Sequence, residues 1–477
     1  MMFSRNARNI KHSTTCLLKH FDIKHSRLFS TTTTAKSFAS RVDKILIKNI
    51  LNSNISNSSS NNNNNSNFSY VQKHYTTIVN NNSSSNNNNI SMNDFFNNYQ
   101  QNTIDKPLES KIDLTSKFLL QFKNQTNNND SWDYSSIESF YSKDNQVTPT
   151  VLSNFLLIRD DIEKYILLKM NSNTKDTPTI LGQDLILFDT LLGTLIKKNM
   201  KVDDLYCTPL QLSMGKEIIH QIINNEAVHP YQDKQNYIDE LKQRISKNKM
   251  CLVLFHPSMK NTPLMSLYIV LKEKVPDGME SLEEIPKQES DICCAIFYSI
   301  SSLHKGLKNV DLGHILISKA LNYIQSNFDK NHTWTYFTLS PLPTFKSYVK
   351  KLSNKDSNLQ KVIQEFESKA QSEKINMLDR IRSILEPLAY QYIQEKRKGG
   401  KTLDPVCNFH LKNGANIYRI NWKGDTSEKR LEESFGMMIN YEYDTKIKTQ
   451  NSINYKTNHI LSENQLFKDK LNKMLNH

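Results

Sequence analysis

The chain has 477 residues, 37% of them apolar, and its 61 Lys and Arg against 48 Asp and Glu leave a formal charge of +13. A mean hydropathy of −0.59 and the lack of any apolar run of about 18 residues exclude a helical membrane protein, and six cysteines in so long a chain are too few for a disulfide scaffold. A basic balance raises nucleic acid or an anionic membrane as partner, so the position of the charge decides.

Much of it lies at the front. Residues 1–41 hold eight basic side chains (Arg5, Arg8, Lys11, Lys19, Lys24, Arg27, Lys36, Arg41) and one acid, Asp22, and so carry seven of the thirteen excess charges. An acid-poor, basic stretch rich in Ser and Thr has the signature of a mitochondrial transit peptide; the alternative is a basic tail without a fold. Residues 42–103 form an Asn/Ser-rich segment with runs at Asn61–Asn65 and Asn86–Asn89. Such tracts bury too little apolar surface to offset the entropy of ordering, and they read as a disordered insert. A second polar patch spans Asn124–Asp130, and the fold is expected to begin near residue 104.

From 104 to 205 the spacing predicts helices. Thr148-Pro149 opens one with Val151, Leu152, Phe155, Ile158, Ile162 and Ile166 at i, i+3 and i+4, and Gln183–Met200 repeats the pattern with Leu185, Phe188, Leu192 and Leu195. Arg159, Asp160 and Asp161 fall on the side taken as solvated. The region reads as a small helical bundle with no chemistry of its own.

After Lys249 the texture changes. Cys251–Phe255, Leu264–Leu271 and Ile292–Ile300 are short apolar runs bounded by polar breaks, the pattern of buried strands. A helix is predicted over Asp311–Phe328, a strand over Thr333–Leu339, an amphipathic helix over Leu378–Ile393 interrupted by Pro387, and a last strand over Asn416–Asn421. The fold class is therefore α/β (α+β), a helical domain at 104–205 followed by a mixed-sheet domain at 206–460, long enough for a substantial core.

Three segments are candidates for chemistry. Ser301–Gly313 joins a strand to a helix, and a loop that ends in a helix start offers unpaired N–H groups to an anion. Gly306 and Gly313 permit close backbone approach there, and Lys305 and Lys308 add charge. An ordinary connection is the alternative. In Thr338–Thr344 two prolines rigidify the turn after a strand and fix Ser340; a helix cap or turn serine is the alternative. Asn408–Ala415 reads as a loop carrying His410, whose imidazole titrates near neutrality, against the alternative of a hydrogen-bonded structural histidine. Neither HExxH nor CxxC spacing occurs, so no metal site is expected. Adjacent Cys293 and Cys294 are assigned to core packing.

At these segments the sequence resembles malonyl-CoA decarboxylase, from about Val147 to Tyr443. The likeness rests on EAVHP (Glu226–Pro230), AIFYSIS (Ala295–Ser301), GL-x-x-V-x-LG (Gly306–Gly313) and LSPLP-x-F (Leu339–Phe345). It continues in LDPV-x-NFHL-x-NGA (Leu403–Ala415), YRINW (Tyr418–Trp422) and GMM-x-NYEY (Gly436–Tyr443). The resemblance implies a catalytic domain similar to the acetyltransferase superfamily. It also implies decarboxylation of malonyl-CoA to acetyl-CoA and CO2, controlling the malonyl-CoA level in fatty acid metabolism, with no cofactor. By that resemblance Ser340 and His410 are the catalytic pair, and Lys308, Asn309, Val310, Asp311, Leu312, Gly313 and His314 form the pyrophosphate loop. The superfamily loop carries Gln or Arg followed by two glycine positions, of which this one keeps only Gly313. Asp311 would repel a phosphate unless it turns outward to cap the helix.

Ser340 is expected to hold the malonyl carboxylate or carbonyl, and His410, with an ordinary pKa of about 6.5, to transfer the proton, oriented by Asn408. An acyl-CoA N-acyltransferase of the same superfamily and a non-catalytic CoA-binding module are the rival readings. Nucleic acid is not expected as a partner, because Lys396–Lys401 is the one compact internal basic cluster and reads as a solvated helix end. No membrane partner is expected either. The likeness further implies a homotetramer. The chain ends Leu475-Asn-His477 without a peroxisomal Ser-Lys-Leu. The leader therefore points to the mitochondrial matrix, with Met92 as a candidate internal start for a cytosolic form.

Overall fold

A computed structural model describes residues 91–125, 135–141, 147–171, 180–259, 261–328 and 333–475. The basic leader at 1–41, the Asn/Ser-rich stretch as far as residue 90 and most of the patch at 124–130 lie outside the described residues.

Residues 92–103, expected to belong to the disordered segment, instead form helix α1 (Met92–Thr103). Ser91 caps it by accepting the Asp94 N–H at 3.0 Å. Phe95, Phe96 and Tyr99 share one face of α1 and are buried, a gain of roughly 1.5–3 kcal/mol for each such side chain. Phe95 stacks on Phe118 of α2 (Leu108–Gln125) with centroids 3.9 Å apart. Phe96 meets Tyr141 of α3 (Ser135–Tyr141) and Phe155 of α4 (Pro149–Asn171) edge-on. Helix α5 (Ile180–Asn199) completes the group.

Helix α4 is packed on more than one side, and this overturns the assignment of its charged residues to solvent. Arg159 is 2% exposed and Asp161 5%; Tyr99 donates to Asp161 at 3.1 Å. Asp160 is half-buried and faces the next domain. Periodicity locates one apolar stripe, but a helix enclosed by neighbours buries polar groups that find partners.

The rest of the chain builds an eight-stranded sheet in the order β1-β2-β3-β4-β5-β8-β6, with β7 against β8. Its strands are β1 (Tyr206–Pro209), β2 (Lys249–Phe255), β3 (Met265–Lys272), β4 (Cys294–Ser302), β5 (Thr335–Thr338), β6 (Ser340–Pro341), β7 (Asn416–Asn421) and β8 (Met438–Glu442). Every residue of β3 is buried, because both faces are covered. One face joins the helical group in a common core that includes Leu267 and Phe297. The other face, with Tyr268 and Ile296, packs on α6 (Lys216–Asn225) and α7 (Ile238–Arg244). Beyond these come α8 (Met279–Glu283), α9 (Gly313–Asn327), α10 (Phe345–Ser353), α11 (Ser357–Ser368), α12 (Gln371–Gln394), α13 (Pro405–Lys412), α14 (Glu428–Ser434), α15 (Lys448–Asn458) and α16 (Gln465–Leu475).

Four details differ from expectation. Helix α12 runs through Pro387 without a break. Segment 405–412 is a helix, not a loop: Asp404 caps it by accepting the Cys407 N–H at 2.7 Å, and Pro405 sits at its first position. The domain continues past residue 460, since Phe467 of α16 is fully buried. Cys294 is buried in β4, whereas Cys293 stands just before the strand and is half-buried.

One step of the sheet positions the site. β1 to β4 pair antiparallel, but β4 and β5 are parallel, and a parallel pair needs a crossover. Here the crossover carries the loop after β4 and then α9. β4 and β5 pair only as far as Phe297 and Thr338, where Leu339 N–H donates to Phe297 O at 3.3 Å. The chain then passes into β6, which pairs with β8. A register shift in β4 opposite Tyr268 and Ile269, between Phe297 and Ser299, coincides with the parting.

Candidate active site

Ser340 opens β6, opposite Ile439 of β8, with Pro341 fixing the chain direction behind it. It caps no helix. His410 reaches the same point from α13. Its Nε2 lies 3.0 Å from Ser340 Oγ, and both residues are buried. Ser340 Oγ also lies 2.9 Å from Thr338 Oγ1, which accepts the Tyr441 N–H at 3.1 Å. On the far side of the imidazole, Nδ1 meets the Tyr443 hydroxyl at 2.8 Å, and the Tyr441 ring stacks on the imidazole at 4.4 Å. With His410 protonated on Nε2, Tyr443 donates to Nδ1, the imidazole donates to Ser340 and Ser340 donates to Thr338.

Asn408 does not orient His410. Its Oδ1 accepts the Tyr455 hydroxyl at 2.9 Å, and Tyr443 takes the orienting place. The assumption of an ordinary imidazole also fails: burial pushes His410 down to about 3, so it is neutral at neutral pH. Burial holds the Tyr443 and Tyr441 phenols well above their usual range. Ser340, Thr338, His410, Tyr441 and Tyr443 thus form a buried cluster with no charge.

The loop after β4 runs through a single helical turn (Lys305–Leu307) into α9. Asn309 and Asp311 are both left-handed, at φ 67° and 64°, an arrangement that gathers backbone N–H groups. The first-turn N–H groups of α9 add to it. Val310 and Leu312 point into the core, so their side chains are closed to a ligand. His314 Nδ1–H donates to the Asp311 carbonyl at 2.6 Å. Asp311 turns away from the helix axis without capping it: its carboxylate binds Lys412 Nζ at 2.7 Å and lies 3.8 Å from Lys197 Nζ. Lys308 is not free for a phosphate either, since Glu163 holds its Nζ at 2.5 Å.

The two glycines meet protein. A Cβ on Gly313 would stand 2.5 Å from the Phe409 ring, and one on Gly306 would stand 2.5 Å from the Leu156 carbonyl of α4. The first contact seats the start of α9 on the helix that carries His410, so loop and imidazole are one assembly. Tyr443 ends the GMM-x-NYEY motif and Thr338 begins the segment that carries Ser340, but neither is a site residue by sequence alone. Lys412, Lys197 and Glu163 gave no signal, because their partners are far away along the chain.

The family model for the malonyl-CoA decarboxylase C-terminal domain matches residues 205–476. The mitochondrial malonyl-CoA decarboxylase of Anser anser anser is 31% identical over 280 residues, 52% of this chain and 54% of that protein. The Rattus norvegicus protein of the same name is 32% identical over 270 residues, 50% and 53% of the two. The chain thus spans about half the length of the curated relatives it matches. The crystal structure of malonyl-CoA decarboxylase from Rhodopseudomonas palustris aligns with a TM-score of 0.59 at 21% identity, over 80% of this chain and all of that one. The Agrobacterium vitis structure aligns at 0.60 and 19%, over 79% and 99%. These structures share the fold, and the matched domain contains Ser340, His410, Tyr443 and the whole loop: the chain belongs to the malonyl-CoA decarboxylase family.

Proposed function

We infer that this protein decarboxylates malonyl-CoA to acetyl-CoA and CO2. The observation that carries it is the Ser340–His410 pair, 3.0 Å apart in an uncharged, buried cluster beside a helix start suited to phosphates. The family membership points the same way.

The chemistry suits so spare a site. The malonyl carboxylate is β to a thioester carbonyl, which serves as the electron sink. The electrons of the C–CO2 bond move into the thioester as CO2 leaves, and the enolate then takes one proton at the α-carbon. A carboxylate held by neutral donors in a buried site has no counterion, whereas the products, CO2 and a delocalised enolate, spread or lose that charge. Ser340 turns its hydroxyl from Thr338 to the substrate carboxylate or thioester oxygen. The enolate that CO2 leaves behind raises the proton affinity of His410, so the imidazole takes a proton from solvent at that stage and delivers it to the α-carbon. Tyr443 holds the ring in place throughout. No step calls for a metal or an organic cofactor.

The loop at 308–314 binds the CoA phosphates through backbone N–H groups, with Lys412, Lys197 and Lys456 supplying charge nearby. The relatives named mitochondrial and the basic leader at 1–41 support import into the mitochondrial matrix. Family likeness alone supports a tetramer.

Release of labelled CO2 from malonyl-CoA tests the function. Ser340→Ala and His410→Ala chains that fold normally should lose most of the activity, by about a hundredfold or more. Parental rates in both would overturn the assignment, and acetyl transfer to an amine without CO2 release would favour the acyltransferase.

A further inference from the structure

The helical region reaches directly into the segment that leads to the phosphate loop. The Arg159 guanidinium is buried and held on one side by Asp189 of α5, at 2.8 Å from Nε and 3.1 Å from Nη2. Its remaining donors face the next domain, where Nη1 donates to the Gly306 carbonyl and Nη2 to the Lys308 carbonyl at 3.1 Å. The adjacent residue, Asp160, accepts the Gly306 N–H and faces His304 Nδ1 at 3.4 Å with its other oxygen. Both polar groups of one peptide residue, Gly306, are thus bound by consecutive residues of one helix.

The fit is close on every side. Gly306 lies against α4 so tightly that a Cβ would stand 3.0 Å from Arg159 Cβ, besides striking the Leu156 carbonyl. Gly193 of α5 leaves room for the guanidinium: a Cβ there would stand 3.0 Å from Arg159 Cζ. A planar fork of five donors suits such a task, and an ammonium would not reach two carbonyls and a carboxylate together.

We propose that Arg159 and Asp160 are positioning residues for the acyl-CoA phosphates, so that the helical region is a working part of the substrate site. The clamp fixes the chain at Gly306 and Lys308, which sets the left-handed residues Asn309 and Asp311 and the start of α9. It touches neither substrate nor the Ser340–His410 pair. This inference rests on reading the loop as the phosphate site.

The test compares substrates with and without phosphates. In the full chain, Asp160→Ala should raise KM for malonyl-CoA about tenfold, whereas Asp160→Asn, which keeps an acceptor for the Gly306 N–H, should raise it less than about threefold. Malonyl-pantetheine, which has no phosphates, should show a KM changed less than about twofold by either. Arg159→Lys serves as the second variant if Asp160→Ala does not fold, with the same pattern expected. A loss equal for both substrates, or no change in folded Asp160→Ala, would overturn the proposal. Calorimetric binding of acetyl-CoA against acetyl-pantetheine reads the same difference without catalysis. If binding follows the pattern and no CO2 is released, the decarboxylase reading fails and the clamp stands.

Discussion

The Tyr443 hydroxyl lies 2.8 Å from His410 Nδ1, on the side of the ring opposite Ser340. It is the second hydrogen-bond partner of the imidazole and fixes the orientation of the ring. Tyr443→Phe keeps the ring packing and removes that hydrogen bond. The expected result is a kcat lowered by about tenfold with KM for malonyl-CoA changed less than twofold. An unchanged kcat in labelled-CO2 assays would show that Tyr443 plays no orienting part.

The Glu163–Lys308 pair yields a prediction of improved binding. Glu163 neutralises Lys308, at the start of the 308–314 segment. Glu163→Gln releases Lys308 toward the phosphates, so KM for malonyl-CoA should fall about two- to fivefold at low salt. The gain should fade at high ionic strength, where exposed charges are screened. Malonyl-pantetheine should show no gain, and an equal gain with both substrates would contradict the account.

Asp404 carries a pH dependence of known sign. Burial, as the largest cause, raises its carboxyl from 3.8 to about 6, against opposing bonds from the Cys407 N–H and Tyr392. The folded state therefore binds the proton more tightly than the unfolded chain. This stabilisation is full below about pH 4 and is lost as pH rises through about 6. Asp404→Asn keeps a cap oxygen for Cys407 N–H and cannot ionise. Its Tm should match the parent near pH 5 and exceed it at pH 8; a difference independent of pH would refute the assignment.

The start of the fold can be found by truncation. A chain beginning at residue 90 keeps α1, whereas one beginning at residue 105 loses Phe95, Phe96 and Tyr99 from the core. Thermal unfolding should give similar Tm values for the first and the full chain, and a large loss for the second. Phe96→Ala should destabilise by about 3–5 kcal/mol. A stable chain from residue 105 would place α1 outside the cooperative unit.

Apolar periodicity made most elements legible. Strands β2, β3, β4 and β7 and helices α4, α5 and α9 lie within a few residues of their expected bounds, and α12 begins seven residues before its expected start, because buried runs and stripes are local properties. The miss at α13 had a local remedy: Asp404-Pro405 is an N-cap followed by a first-turn proline. Helix α1 was lost in the surrounding Asn and Ser, where three aromatics at helical spacing were the signal.

The sequence by itself determined the mixed α/β class, the order of the motifs and the candidacy of Ser340 and His410, all of which depend on neighbours along the chain. Only the tertiary structure decided their partners: Tyr443 for His410 in place of Asn408, Glu163 for Lys308, Lys412 for Asp311, and Arg159 with Asp160 for Gly306. It also set the proton affinity of His410, since burial pushes the imidazole down to about 3. The reason is the same in each case. Hydrogen bonds and ion pairs act over a few ångströms of space, and the residues that make them here stand from 33 to 147 positions apart. The +13 balance likewise does not describe the site, where Lys308 and Lys412 are held by carboxylates.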